Sequence, residues 1–246
     1  EGNPWPIHAP GVFLNMIQVA ASDDRGIQPI ELQYPSSWSR TVLANLARHT
    51  PPFAEELSGL EIVDVGYGRK SDFTEADVKG KIALISRGPK EEPITFQEKN
   101  LNAKENGAKA CIIYNYDPGS FRGTMITATE EPSDFEFIPT LMVSGVIADQ
   151  IRFCQQYNGS LQFQKPSPPI ISDYTSAGPC LDGDLGVFKP EVCAPGTYIR
   201  SSIPANNAEK TKLISAWTDL SGTSMASPVV TGAVALMKQA HPEWTP

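Results

Sequence analysis

The chain has 246 residues, 40% hydrophobic and 20% charged, enough apolar material for one large domain or two ordinary ones. Its formal charge of −8 argues against a nucleic-acid partner held through phosphates. No apolar run approaches the ~20 residues of a membrane span, and no basic start followed by an apolar stretch reads as a signal peptide within these residues.

In chain order, residues 1–22 open with Glu1-Gly2-Asn3-Pro4 and run into the apolar stretch Met16–Ala21, which predicts a strand. Residues 23–58 are punctuated by Pro29, Pro35, Pro51 and Pro52 and read as a connecting region of loops and short strands. Beyond it, short β-like runs stand at Leu60–Val65, Lys81–Arg87, Ala110–Asn115 and Thr140–Ser144. Between the second and third, Thr95-Phe96-Gln97-Glu98 is a capping-box sequence, opening a helix that should stop at Gly107. Strand, helix and strand at that spacing predict a crossover inside a mostly β domain over 59–165. Lys165-Pro166-Ser167-Pro168-Pro169 reads as the linker that closes it, leaving 166–246 as the last segment.

The four cysteines, Cys111, Cys154, Cys180 and Cys193, have no close metal-ligand pairing, and the three histidines are not clustered. Cys111, within an apolar run, reads as a buried thiol; Cys180 and Cys193 flank a short loop whose spacing allows a pair without requiring one. No cofactor is expected from these patterns.

The last segment carries the chemistry. Asp219-Leu220-Ser221-Gly222-Thr223-Ser224-Met225-Ala226-Ser227-Pro228 leads into an apolar run from Val229 to Met237, which predicts a helix buried on most sides. Pro228 is expected in its first turn, where a missing N–H costs little. Ser224 then stands where unpaired backbone N–H groups and the positive helix end favour developing negative charge. That describes a nucleophile and a plain N-cap serine equally well.

The middle segment resembles the protease-associated domain. The residues that carry the resemblance are Val78–Ile85, Arg87-Gly88, Thr95–Lys99, Asn102-Ala103-Lys104, Gly107-Ala108, Ile112–Asn115 and Ile138-Pro139-Thr140. The resemblance implies a non-catalytic, β-rich module that contacts substrate or other proteins. Such strands serve a binding protein equally well.

Gly222-Thr223-Ser224-Met225-Ala226-x-Pro228 resembles the serine signature of the subtilisin-like proteases, the subtilases. Ser172–Pro179 is similar to the family's segment ending in Ser-x-Gly-Pro, and Lys189–Gly196 to its Lys-Pro-acid-x-x-Ala-Pro-Gly loop. Glu1-Gly2-Asn3 is similar to the stretch that supplies the oxyanion-hole asparagine. The resemblance implies an α/β fold, the later half of a subtilisin-like parallel sheet with flanking helices, interrupted by an inserted β-rich domain. It implies Ser224 as nucleophile and Asn3 as oxyanion donor, the Asn3 amide lying within roughly 8 Å of Ser224 Oγ. The strand near Ile17–Ala21 should share a sheet with the segment before Ser224.

In that family the acid and the base precede the oxyanion asparagine, where this chain has two residues. His8 and His49 lack the family's context, and His241 should lie about 25 Å along the helix from Ser224. The expectation is therefore a piece of a larger secreted or cell-surface endopeptidase, inactive alone, acting on protein or peptide substrates. Calcium is common in the family, but no acidic cluster here assigns a site. The competing reading is a non-catalytic binding protein that retains a protease-associated domain and a relic of the protease fold.

Overall fold

The computed structural model describes residues 16–24, 27–88, 91, 93–119, 121–126, 135–167, 169–172, 174–176, 178, 189–203 and 217–245. The chain divides into two compact units, one of residues 25–167 and one of residues 1–24 with 168–246. The first strand, Val19–Asp23 (β1), belongs to the second of these.

Unit 25–167 contains Ile27–Gln33 (β2), Ser39–Leu46 (β3), Ile62–Asp64 (β4), Ile82–Ser86 (β5), Phe96–Glu105 (α1), Ala110–Tyr114 (β6), Thr140–Val143 (β7), Gly145–Gln156 (α2) and Ser160–Phe163 (β8). Its seven strands form one sheet in the order β4-β5-β6-β7-β3-β2-β8. Pairing is parallel from β4 to β7 and antiparallel from β7 to β8. Alternate residues serve two cores. Ile82, Leu84, Ile112, Leu141 and Val143 pack with Ala148, Ile151 and Cys154 of α2. Ala83, Ile85, Cys111, Ile113 and Met142 pack with Ala103 of α1. Strands covered on both faces favour apolar residues on both, which is why β5, β6 and β7 are near-continuous apolar runs, broken at their ends by the buried Ser86 and Thr140.

The crossover lies where the capping box places it. Thr95 Oγ1 accepts the Glu98 N–H at 3.1 Å, and the Glu98 carboxylate accepts the Thr95 N–H at 3.0 Å. Gly107, at φ +82°, ends the helix in a conformation that side chains with a Cβ resist. β5 and β6, on either side of α1 in sequence, pair in parallel.

The stretch 23–58 supplies β2 and β3 to this sheet, so the unit extends well before residue 59. In β2 the buried positions alternate, Gln28, Ile30 and Leu32 pointing inward. Pro29, which suggests a loop in sequence, lies beyond the last register pair of β2 with β8, Ile30 with Phe163.

The second unit adds Ile170–Ile171 (β9), Val192–Pro195 (β10), Ile199–Ser202 (β11), Trp217–Leu220 (β12) and Thr223–Ala240 (α3). Here β1 lies between β10, to which it is parallel, and β9, to which it is antiparallel. Among the described residues of this unit, β1 with β10 is the parallel pairing; β11 and β12 form a separate antiparallel hairpin. The strand before Ser224 is therefore β12, outside the sheet of β1.

Helix α3 departs from expectation twice. It is apolar, yet Ala226 is its buried residue, while Val229, Val234, Leu236 and Met237 are exposed. An apolar composition records what a helix is suited to bury, whereas burial needs a covering partner, and among the described residues the β1 layer packs against the line of Ala226 and Val230. The helix also begins at Thr223, which makes Pro228 its sixth residue, past the first turn. Lacking an N–H, Pro228 leaves the Ser224 carbonyl without its i+4 donor.

Candidate functional site around Ser224

Three stretches far apart in sequence converge on the start of α3. β1 ends at Ser22 and Asp23; the Gly196 N–H donates to the Ser22 carbonyl at 3.0 Å, and Thr197 Oγ1 donates to it at 3.1 Å. Tyr174, from the segment after β9, donates its hydroxyl to the Gly196 carbonyl at 2.9 Å and lies 2.7 Å from Thr197 Oγ1. Ser172 Oγ is 2.9 Å from the same threonine oxygen, and the Ala21 N–H donates to Thr175 Oγ1 at 3.1 Å. The Gly222 N–H, just ahead of α3, donates to the Gly196 carbonyl at 2.8 Å. Gly196 is thus the point at which the end of β1, the Ser172–Thr175 segment and the start of α3 are tied together.

No side chain fits at that point. A Cβ on Gly196 would lie 2.7 Å from Ala21 Cβ, 2.9 Å from the Gly222 oxygen and 3.2 Å from Ala226 Cβ. Gly222 is needed for a different reason. It caps α3 at φ +156° and ψ 164°, a region open essentially to glycine, although space around it is ample.

This geometry separates the two roles that sequence leaves equal for Ser224. The N-cap is Gly222, without a side-chain cap bond, and Ser224 is the second helical residue, exposed to solvent. Its hydroxyl is therefore not used as a cap. The first N–H groups of the helix, those of Thr223 and Ser224, have no intrahelical acceptor and face the positive end of the helix. An exposed hydroxyl beside unpaired N–H donors can attack an electrophilic carbonyl and hold the charge that develops.

The other residues singled out in sequence fall into three groups. Asn3, His8 and Cys180 lie outside the described residues. His241 closes the far end of α3, stacked on Trp244 at 4.1 Å and 3.6 Å from Glu243. His49 belongs to the other unit, its Nδ1 3.1 Å from Thr124 Oγ1. Asp219 lies in β12, its side chain 18% exposed and 3.9 Å from Arg200. Cys193 is exposed. Cys111 is buried in the other unit, where burial pushes its thiol up to about 12 despite a hydrogen bond from Thr140, so it is inert as a nucleophile. Among the described residues no group of three His, Cys, Asp or Glu side chains is arranged to hold a metal. No helix among them is long and apolar enough to cross a membrane.

Beside the site, Lys189 is buried and donates to the Met16 carbonyl at 2.5 Å and to the Glu191 carboxylate. Burial pushes the Glu191 carboxyl up, but the Lys189 ammonium and the Gln18 N–H outweigh it and hold the group below the usual carboxylate value. The pair fixes the approach to β10. Sequence reasoning placed Lys189 and Gly196 in a motif without assigning either a task.

Comparison with known proteins fixes the middle of the chain. The PA domain family matches residues 49–151. A protease-associated domain is present. The whole chain is similar to the minor extracellular protease Vpr of Bacillus subtilis (strain 168), at 28% identity over 99% of this chain and 28% of that protein. A PII-type proteinase of Lactococcus lactis subsp. cremoris is 35% identical over 70% of this chain and 8% of its own length. A C5a peptidase of Streptococcus pyogenes serotype M3 is 31% identical over 72% of this chain and 14% of its own. The chain thus spans under a third of the curated relatives it matches. Among solved structures, an aminopeptidase from Aneurinibacillus sp. strain AM-1 matches 63% of this chain at a TM-score of 0.44 and 23% identity.

Proposed function

We propose that this chain is part of an extracellular subtilisin-like serine endopeptidase whose nucleophile is Ser224, with the protease-associated unit inserted ahead of it. The observation that carries the reading is the placement of Ser224. It is exposed at the second position of an apolar helix whose cap is taken by Gly222, within the motif Gly222-Thr223-Ser224-Met225-Ala226-x-Pro228. The similarity to an extracellular protease along the whole chain supports both the reaction class and the location.

In this mechanism Ser224 Oγ attacks a peptide carbonyl to give an acyl-enzyme. The oxyanion is held by a backbone N–H at the start of α3 and by the Asn3 amide. A serine hydroxyl needs an adjacent base. His8 and His49 lack the family's context in sequence and His241 closes the far end of α3, so on this reading the base and its orienting acid come from chain beyond these 246 residues. The exposed apolar surface of α3 fits this view, since a helix apolar on all sides is a core helix that further chain covers. The protease-associated unit contacts substrate or partner proteins and takes no part in bond cleavage.

The test is peptide turnover by two proteins. The purified 246-residue chain is expected to leave peptides intact. The full-length protein is expected to cleave them and to lose about 10⁶-fold in kcat on Ser224→Ala, the loss seen for the equivalent change in subtilisin. Turnover by the 246-residue chain that Ser224→Ala abolishes would place the base within it and overturn that part. A full-length protein indifferent to Ser224→Ala would overturn the whole reading.

A further inference from the structure

Three hydroxyl groups near the start of α3, those of Ser172, Tyr174 and Thr197, take no part in bond cleavage, yet their bonding is complete. Thr197 Oγ1 donates to the Ser22 carbonyl at 3.1 Å. It also lies 2.9 Å from Ser172 Oγ and 2.7 Å from the Tyr174 hydroxyl oxygen. A hydroxyl has one proton and two lone pairs, so Thr197, its proton committed to Ser22, accepts from both neighbours. The Tyr174 proton then serves two acceptors, Thr197 Oγ1 and, at 2.9 Å, the Gly196 carbonyl. Ser172 is buried, and the Tyr174 ring packs against the cluster of Val19, Ala21, Ala194 and Ala226. A polar network satisfied in full is rigid.

What the network holds is one carbonyl. Gly196 O accepts from the Tyr174 hydroxyl and, at 2.8 Å, from the Gly222 N–H. Gly222 in turn gives its own carbonyl to the first turn of α3, accepting from the Met225 N–H at 3.0 Å and the Ala226 N–H at 3.3 Å. The N–H groups of Thr223 and Ser224 stand between these bonds and are oriented by them. Two residues past Gly196, the Tyr198 N–H donates to Ser221 Oγ at 2.8 Å, so residues 196–198 hold 221–222 by two bonds. The strands do not need the hydroxyls for their own pairing. β1 and β10 are joined by a ladder from Val19 with Val192 to Ser22 with Pro195, which the Gly196 N–H extends by its bond to Ser22. The side-chain bonds come in addition, and they lead to the start of α3.

We propose that Tyr174 and Thr197 are positioning residues for peptide-bond cleavage. Their hydroxyls orient the Gly196 carbonyl and, through Gly222, the backbone N–H groups at the start of α3 that hold the oxyanion. The inference rests on the reading of Ser224 as the nucleophile. Such donors act on a charge that exists only in the transition state, and they act at about 2.7–3.1 Å. A tilt of the first helical turn therefore slows the chemical step and leaves substrate affinity as it was. Both side chains act through the backbone and touch none of the reacting atoms.

The test is peptide kinetics of the full-length protein, with active sites counted by a fluorophosphonate probe and rates taken well below each variant's unfolding midpoint. Tyr174→Phe keeps the ring and removes its hydroxyl; Thr197→Val keeps the shape and removes the acceptor. Each is expected to lower kcat about tenfold with KM within about twofold of the parent, and to slow fluorophosphonate labelling by the same factor as kcat. The double variant should also lose about tenfold, since both groups act on one carbonyl. Thr197→Ser restores a hydroxyl and should recover most of the loss. A merely structural role would lower the unfolding midpoint and leave kcat per active site unchanged. That result in either folded variant overturns the proposal, as does a rise in KM alone or a Thr197→Ser enzyme as slow as Thr197→Val. Activity lost on Ser224→Ala but kept by Tyr174→Phe and Thr197→Val sinks the positioning role alone, whereas activity indifferent to Ser224→Ala sinks the nucleophile with it.

Discussion

At Gly196 a single hydrogen atom stands where a methyl group has no room, between Ala21 Cβ and the Gly222 carbonyl. Gly196→Ala should lower the stability of this unit by about 1–3 kcal/mol, the cost of overpacking. Gly232, in the middle of α3, has nothing within 4 Å of an added Cβ. Gly232→Ala should raise stability by up to about 1 kcal/mol through helix propensity alone. Thermal unfolding of the pair separates a packing glycine from an idle one; equal effects would mean that Gly196 is not the tie between β1 and α3. In unit 25–167, Lys99 is fully buried and donates to the Tyr67 carbonyl. Burial lowers its pKa to about 8, although Asp72 pulls it back up in part. Between pH 8 and the unfolded value near 10.5, the unfolded chain holds a proton that the native state has released. Stability from this group therefore rises with pH across that window. Urea midpoints measured from pH 7.5 to 10.5 should climb relative to those of Lys99→Met; parallel curves would contradict the assignment.

At the scale of the element, Thr95→Ala removes one half of a reciprocal cap and should cost about 1 kcal/mol in chemical unfolding. No measurable change would mean that α1 is held by packing alone. That helix and the strands beside it were legible because local and tertiary signals agree: a capping box, a stopping glycine and near-continuous apolar runs. The edges of the domain were less legible. β2 carries Pro29 within an alternating pattern, and a proline-rich stretch reads as loop until its pairing partners are known. α2 had its signals, Ser144 as cap and Ile147, Ala148, Ile151 and Cys154 at helical spacing, yet a strand ending at Ser144 draws the eye past them. At the candidate site, the motif singles out Ser224 in sequence, but its freedom from capping is not legible there. That depends on Gly222 holding φ +156°, which a serine at position 222 would resist.

For the whole molecule, the two units set the terms. A segment of residues 25–167 should unfold cooperatively by itself, because it holds all seven strands of its sheet and both cores. A segment of residues 59–165 lacks β2 and β3, leaves β8 without its strand partner and β7 with β6 alone, and should show no cooperative transition. Circular dichroism of both segments decides the boundary; a cooperative 59–165 would make β2 and β3 additions to an independent domain. Among the described residues of the other unit, the core is the small cluster of Val19, Ala21, Ala194 and Ala226, and the apolar helix α3 is largely exposed, which fits the proposed reading. That account rests on Ser224. The most direct test is to treat the full-length protein with a fluorophosphonate probe and map the labelled residue by mass spectrometry. The account predicts a single label on Ser224, absent from Ser224→Ala together with peptidase activity. Peptidase activity accompanied by a label on another residue, or by none, would contradict it.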